Sequence, residues 1–274
     1  MKMITALLSI VLITSCASGK EKAYTGSTPV APIVRTFLGI SLTDSADFIR
    51  WNLTLTENQY TLHCNYGIGK PNTNGFYDGG KKIDLTGALK KEKNNYLLQN
   101  GNLTLMLAEL NTNLLHILNV DKSLMIGNGG WSYTLNNLAP SSTNQTSIAA
   151  RPTALKDSMA FHGRTPCGVP GIIAPGKLCY KLKWYIILYA DKEKNSPSTY
   201  RILGTPYRVE GGKKANWEII TGKDNRTIYQ LNDEKGNPFI YLLKLDEGVV
   251  IFTDAKGNLL VGDHDFSYTL DRRF

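Results

Sequence analysis

The chain has 274 residues, of which 42% are apolar and 20% charged, and its formal net charge is +8. This length and apolar content allow two ordinary domains, each with its own core. The basic excess is spread along the chain and concentrates only at Lys177, Lys181 and Lys183, which are interleaved with apolar residues. We interpret these lysines as the solvated face of a strand, so composition does not indicate a nucleic-acid-binding protein.

The N-terminus has the features of a lipoprotein signal. Lys2 precedes a short apolar run from Ile4 to Ile13, which resembles the core of a secretory signal and is too short to span a bilayer comfortably. The run ends in Ile-Thr-Ser-Cys, which has the form of a bacterial lipobox closing at Cys16. We therefore predict that residues 1–15 are removed and that Cys16 is acylated, with palmitate as a typical chain, and anchors the protein to a membrane.

A lipid anchor predicts a location in the cell envelope, outside the cytoplasm, where thiols tend to oxidise. Ala17 rather than an aspartate follows the cysteine, which by resemblance to the sorting of enterobacterial lipoproteins favours the outer membrane over the inner. The expected partners are the membrane, through the lipid, and an envelope protein. Nucleic acid is not an expected partner.

An internal duplication is visible in two segments that share Ser-Tyr-Thr-Leu, residues 127–136 and 262–271. The starts of the copies are matched through Phe37-Leu38-Gly39 and Phe161-His162-Gly163. A segment rich in Pro, Ser, Thr and Asn separates the copies and is typical of a linker. The predicted organisation is a signal peptide at 1–15, a tether at 16–34, a first barrel domain at 35–138, a linker at 139–156 and a second barrel domain at 157–274.

Both copies alternate apolar and polar residues with a period of two, as strands do. Trp51, Leu53 and Leu55 share one face of a strand, and Trp184 and Ile186 share a face in the second copy. Paired glycines and Gly-Asn steps punctuate the strands, as hairpin turns require. The predicted fold class is all-β, with two tandem small antiparallel β-barrels of the lipocalin-like or NlpE-like kind.

The second copy begins Phe-His-Gly-Arg-Thr-Pro-Cys-Gly-Val-Pro-Gly-Ile, residues 161–172. This segment resembles the start of the NlpE-like copper homeostasis lipoproteins, whose barrel follows a lipobox and begins aromatic-x-Gly-x-x-Pro-Cys-x-x-Cys-x-Gly-Ile. The resemblance covers most of 161–273 and, more faintly, 37–136, and it includes the Ser-Tyr-Thr-Leu ending and the Trp217 strand. It implies an NlpE-like barrel fold and a role in copper homeostasis or envelope stress sensing.

The chain departs from that pattern at the second cysteine, which is replaced by Pro170. Cu(I) is normally held by two or more soft ligands, so Cys167 alone is not a site. Cys179 is the candidate partner, and besides two unpaired thiols two arrangements stay open. One is a Cys167–Cys179 disulfide, worth about 3 kcal/mol in the chain-entropy model. The other is a reduced pair that binds metal, copper in particular, together with His162.

Sequence motifs of common enzymes are missing: there is no Gly-x-Ser-x-Gly, His-Glu-x-x-His, Gly-x-Gly-x-x-Gly or phosphate-loop pattern. We therefore predict a non-enzymatic protein with no obligatory cofactor. The alternative to an NlpE-like sensor or adaptor is a lipocalin-like carrier with an apolar ligand in its barrel. Cys64 is expected to be a small buried hydrophobe and His63, beside it, to face outward.

Overall fold

The computed structural model describes residues 21–141, 155–174, 176–222 and 225–274, and it confirms the all-β prediction. The chain forms two closed antiparallel barrels of eight strands each. Cys16 and most of the predicted linker, residues 142–154, lie outside the described residues. Within the described ranges, no helix has the length and apolar character needed to cross a membrane.

The first barrel pairs its strands in chain order and closes by pairing β1 with β8. A short helix, α1, covers Pro32–Leu38 between β1 and β2, and a 3-10 turn covers Tyr77–Gly79 before β4. The strands are β1 Lys22–Pro29, β2 Phe48–Leu55, β3 Gln59–Gly67, β4 Lys81–Glu92, β5 Asn95–Asn100, β6 Leu103–Asn111, β7 Leu114–Ile117 and β8 Thr134–Asn137.

The second barrel repeats this plan and closes by pairing β9 with both β10 and β16. Its first connection holds the two cysteines in place of a helix. The strands are β9 Ser158–Thr165, β10 Leu182–Asp191, β11 Ser196–Gly204, β12 Lys213–Thr221, β13 Thr227–Asn232, β14 Pro238–Lys244, β15 Val249–Thr253 and β16 Thr269–Arg273.

Large side chains fill the interior of both barrels. Trp51 is completely buried, and its indole Nε1 donates a hydrogen bond to Thr28 Oγ1 at 2.8 Å. Trp184 donates in the same way to Thr165 Oγ1, also at 2.8 Å. A lumen wide enough for a ligand would leave such inward side chains accessible to water. Their near-complete burial instead indicates packed cores.

The structure corrects the predicted start of the first domain. Residues 16–34 were expected to be a tether, yet β1 lies within this range and completes the barrel. The equivalent of the second-copy start is therefore Tyr24-Thr25-Gly26, whereas Phe37 belongs to α1. Gly26 and Gly163 make the same contact, because a Cβ on either would lie about 3 Å from a carbonyl oxygen of the last strand of its own barrel.

The two barrels pack together about an approximate two-fold axis. Ser132 Oγ and Ser267 Oγ lie 2.7 Å apart across the interface, and Thr134 Oγ1 and Thr269 Oγ1 lie 2.9 Å apart. The residues of each pair are 135 positions apart and occupy equivalent places in the repeat. Self-complementary contacts of this kind are the mark of an isologous interface. The duplicated chain thus forms an internal pseudo-dimer.

A second set of polar contacts obeys the same symmetry. The Gly262 amide donates to Asn136 Oδ1 at 2.8 Å, and the Gly127 amide donates to Asp271 Oδ1 at 2.7 Å. Asn136 Nδ2 also donates to the Asp263 carbonyl at 2.9 Å. An asparagine in one copy and an aspartate in the other therefore take equivalent places at the barrel interface.

Apolar contacts complete the interface. Four buried leucines of the first barrel belong to the hydrophobic cluster of the second, so the second core extends across the boundary between the barrels. These leucines are Leu110, Leu114, Leu118 and Leu124.

Candidate functional site

A cleft of about 790 Å³ lies between the two barrels. The first barrel contributes residues 69–75 of its β3–β4 loop, together with Phe48 and Trp131. The second barrel contributes residues 178–183, which lead into β10, and Arg164 from β9. This volume lies within the usual range of roughly 300–1,000 Å³ for small-molecule sites.

The lining of the cleft is chemically asymmetric although the barrels are copies. The second barrel supplies most of the positive charge, whereas the first supplies the aromatic stack and Asp47, the one acidic residue of the described lining. The Asp47 carboxylate already accepts a hydrogen bond from the Gly69 amide at 2.7 Å. The basic lining residues are Lys70, Arg164, Lys181, Lys183 and Arg208.

Arg164 is the most desolvated cation of the cleft. Its guanidinium lies 5.3 Å from the centroid of the Trp131 ring, and Phe48 stacks on that ring at 4.4 Å between centroids. Burial lowers the pKa of Arg164, although the group stays charged at neutral pH. Among the residues that the structure describes, no carboxylate forms an ion pair with Arg164.

Lys181 is placed in a similar way, over the Phe266 ring of the second barrel. Its Nζ lies 5.4 Å from the Phe266 ring centroid and donates to Asn74 Oδ1 at 3.0 Å. Burial, reinforced by the positive charges of Arg164 and Lys183, lowers the pKa of Lys181. The sequence interpretation of a solvated strand face is correct for Lys183, which is exposed on β10. It is wrong for Lys177, which is exposed but lies in the connection before β10, and for Lys181, which also precedes β10 and is partly buried in the cleft.

A polar clamp between the barrels fixes the β3–β4 loop beside the cleft. Arg50 forms an ion pair with Asp265, and Asn74 Nδ2 donates to Asp265 Oδ2 at 2.8 Å. Arg50 also donates to the Asn74 carbonyl at 2.6 Å. These contacts cross from one barrel to the other, so the shape of the cleft depends on the barrel interface. The charge of Asp265 is likewise balanced by Arg50.

The predicted Cys167–Cys179 disulfide is present, with the two Cα atoms 6.0 Å apart. It closes the connection between β9 and β10, and Cys179 itself lines the cleft beside Leu178 and Tyr180. The covalent link therefore holds one wall of the cleft. Neither sulfur is available as a thiolate in this state.

The alternative metal site at Cys167, Cys179 and His162 is not assembled. The His162 ring lies instead against Gly129, in the β7–β8 connection of the first barrel. Burial there lowers the pKa of His162. In the part of the chain that the structure describes, the one group of three candidate metal ligands is Asp263, His264 and Asp265.

That group does not make a convincing metal site either. Asp263 Oδ1 accepts hydrogen bonds from the backbone amides of Asp265 and Phe266, which is ordinary turn geometry. The Asp265 carboxylate is engaged by Arg50 and Asn74.

The remaining cysteine and histidines have structural roles. Cys64 is a free, buried thiol, as predicted, and burial raises its pKa. His63 faces outward, also as predicted, and lies 2.6 Å from the Asp84 carboxylate. His116 is fully buried, with Nδ1 2.8 Å from Thr134 Oγ1 and Nε2 2.9 Å from the Met125 carbonyl, and burial lowers its pKa to about 4.

We expect the disulfide to determine thiol reactivity and stability. Cys16 is left out of the count, since the prediction is that lipid blocks its thiol. The denatured chain should then yield one reactive thiol before reduction, that of Cys64, and three after reduction, when Cys167 and Cys179 are also free. Cys167→Ser should lower the free energy of unfolding by about 3 kcal/mol because the loop is no longer cross-linked. Cu(I) binding should appear only after reduction. Three thiols before reduction would contradict the disulfide.

No protein family, curated protein or solved structure matches this chain in comparisons with known proteins.

Proposed function

We propose that this protein is a non-enzymatic, lipid-anchored binding protein of the bacterial cell envelope, of the NlpE-like type, and that the cleft between its barrels is the ligand site. Anchoring would occur through Cys16, and the outer membrane is the favoured location. A role in envelope sensing would follow from ligand binding, with an envelope protein as the downstream partner.

The cleft carries this proposal. It combines the volume of a small-molecule site with partly buried cations that lie over aromatic rings. Its described lining holds no histidine and no free thiol. The acidic lining residue Asp47 already accepts a hydrogen bond from the Gly69 amide, and Lys181 donates to Asn74, so neither is paired with a nucleophile, which supports binding rather than catalysis.

The lipocalin-like alternative places the ligand inside a barrel. The complete burial of Trp51 and of Leu62 in the first barrel, and of Ile186 in the second, argues against it because these side chains already occupy the interior. The copper role implied by the NlpE-like resemblance stays a prediction for the reduced protein. Both cysteines that would supply its thiolates are joined in the structure.

A variant that fills the cleft tests the proposed site. A side chain added at Gly75 meets only Thr73 Oγ1, at 3.7 Å, so Gly75→Trp should fold and occupy the cleft. We expect native mass spectrometry of protein isolated from its own envelope to show a retained ligand that Gly75→Trp lacks. Leu42→Trp, at an exposed position outside the cleft, is the control. Equal retention by both variants would contradict the cleft as the site.

The predicted anchor has a separate test. Cys16→Ser should abolish acylation because serine cannot take the place of the thiol, and the protein should remain as an unprocessed precursor or a soluble form. Labelling with a radioactive or clickable palmitate followed by membrane fractionation measures this. Cys64→Ser is the matched control and should keep the label, since Cys64 is buried in the first barrel. Label retained by Cys16→Ser would refute lipidation at that residue.

A further inference from the structure

The side chains of the cleft also identify a class of ligand, and this step rests on the proposed function. We propose that the cleft binds a small organic anion, with its carboxylate, phosphate or sulfonate group between Arg164 and Lys181 and a flat apolar body against the disulfide loop.

The first argument is the imbalance of charge. Two partly buried cations converge on the cleft, and the pKa of each is lowered by burial. Holding a charged group away from water is unfavourable unless an opposite charge or good hydrogen bonds compensate. Within the described chain, Arg164 and Lys181 have no carboxylate in an ion pair, and Asp265, whose negative charge acts on Lys181 from a distance, is itself paired with Arg50. An anionic ligand would supply that missing partner.

The second argument is the orientation of the cations. The Arg164 guanidinium lies over the face of Trp131, and the Lys181 ammonium lies over the face of Phe266. A guanidinium held over the face of a ring keeps its N–H groups free to donate in the plane of the guanidinium itself. Such groups suit two parallel hydrogen bonds to a carboxylate or phosphate. The Trp131 ring therefore holds the Arg164 guanidinium in place and leaves its hydrogen-bond donors available.

The third argument is the pair of exposed apolar side chains at the edge of the cleft. Leu178 is 93% exposed and Tyr180 is 87% exposed, and both line the cleft on the disulfide loop. Adjacent exposed apolar side chains beside a charged pocket suit a ligand that has an apolar part. The volume of about 790 Å³ matches a small molecule rather than a folded partner. These apolar side chains and the two cations together favour an amphipathic anion as the ligand.

Two fluorescent probes of similar shape test the proposal. The first is 8-anilinonaphthalene-1-sulfonate, an aromatic anion, and the second is N-phenyl-1-naphthylamine, its neutral analogue. We expect the anion to bind the wild-type protein at least about tenfold more tightly, and its affinity to fall with added salt. Arg164→Gln should weaken the anion about tenfold or more while leaving the neutral probe within about twofold.

Matched variants separate the roles of charge and shape. Arg164→Lys keeps the charge but loses the planar fork, and it should bind the anion with intermediate affinity. Lys181→Gln should also weaken the anion. Lys90→Gln, an exposed position on β4 outside the cleft, should change neither probe. Circular dichroism of each variant ensures that only folded protein is compared.

The outcomes distinguish this inference from the proposed function. If both probes bind equally and Gly75→Trp weakens both, the cleft is a ligand site but the anion proposal is wrong. If Gly75→Trp leaves both probes unaffected, the site and the ligand class are both wrong. Binding to phosphatidylglycerol vesicles that Arg164→Gln abolishes, without binding of the soluble anion, would assign the cations to a membrane surface and overturn the small-anion proposal.

Discussion

Replacing Asp271 with asparagine is expected to raise the free energy of unfolding by about 4 kcal/mol at pH 7 and by much less near pH 4. Asp271 is completely buried at the barrel interface, where Oδ1 accepts the Gly127 amide and Oδ2 has no hydrogen-bond partner. Burial raises its pKa to about 8, and the nearby negative charge of Asp246 adds to the shift. Folding therefore favours the protonated carboxyl.

The internal symmetry explains why asparagine suits this place. Asn136, the equivalent residue, accepts from the Gly262 amide and donates from Nδ2 to the Asp263 carbonyl. The counterpart of Asp263 in the first copy is Asn128, so we expect a protonated Asp271 to donate to the Asn128 carbonyl. An ionised carboxylate cannot donate, whereas an amide donates at every pH. The substitution would make the two halves of the interface alike.

The pH dependence fixes the sign of the effect. An aspartate in the unfolded chain loses its proton near pH 4, whereas folded Asp271 keeps it up to about pH 8. The folded state binds more protons between these values, so this group makes the protein less stable as the pH rises through that window. His116, with its pKa lowered to about 4, acts in the opposite direction between about 4 and 6.5. That contribution is common to wild type and Asp271→Asn and cancels in their difference.

Urea denaturation from pH 4 to pH 8 measures the effect. Asn136→Asp is the matched control, because it places an acid in the equivalent environment and should lower stability most at high pH. If the stabilities of wild type and Asp271→Asn run parallel across this range, Asp271 is not protonated in the folded protein.

The alternation of apolar and polar residues made the barrels predictable, but it did not predict the first strand, β1. β1 has the sequence Lys-Ala-Tyr-Thr-Gly-Ser-Thr-Pro, in which small polar residues, glycine and proline resemble a linker. Its buried polar side chains are satisfied by neighbouring strands, as when Thr25 Oγ1 donates to the Trp51 carbonyl at 2.9 Å. A buried strand of this kind has little apolar periodicity. Its Gly-x-Thr-Pro ending, which recurs at 163–166, was the available signal.

The cleft depends on contacts that no local pattern specifies. Arg164 and Trp131 are 33 positions apart in the chain and belong to different barrels, and they meet only because the copies pack about a common axis. The repeat showed that two similar domains exist but not which faces they share. The disulfide was easier to anticipate, because two cysteines 12 positions apart have few other partners in a chain predicted to be exported to an oxidising compartment.

Removing the indole of Trp51 tests whether the barrels are filled, and we expect Trp51→Ala to lower the free energy of unfolding by about 4 kcal/mol. The side chain has no exposed surface, so its deletion loses apolar burial and leaves a cavity. The deletion also removes the hydrogen bond that the Trp51 indole Nε1 donates to Thr28 Oγ1 at 2.8 Å, so the buried Thr28 hydroxyl loses this donor. Trp51→Phe should have a smaller effect, since it keeps most of the volume and loses only the hydrogen bond and part of the ring.

Urea denaturation of the alanine and phenylalanine variants gives these values, and Trp184→Ala is the matched change in the second barrel. A dry cavity of this kind can take up a small aromatic molecule, so added indole should restore part of the stability of Trp51→Ala and leave wild type unchanged. A loss below about 1 kcal/mol for Trp51→Ala, together with stabilisation of wild type by indole, would mean that the barrel has room for a ligand. That result would move the binding site from the cleft to the barrel interior and favour the carrier alternative.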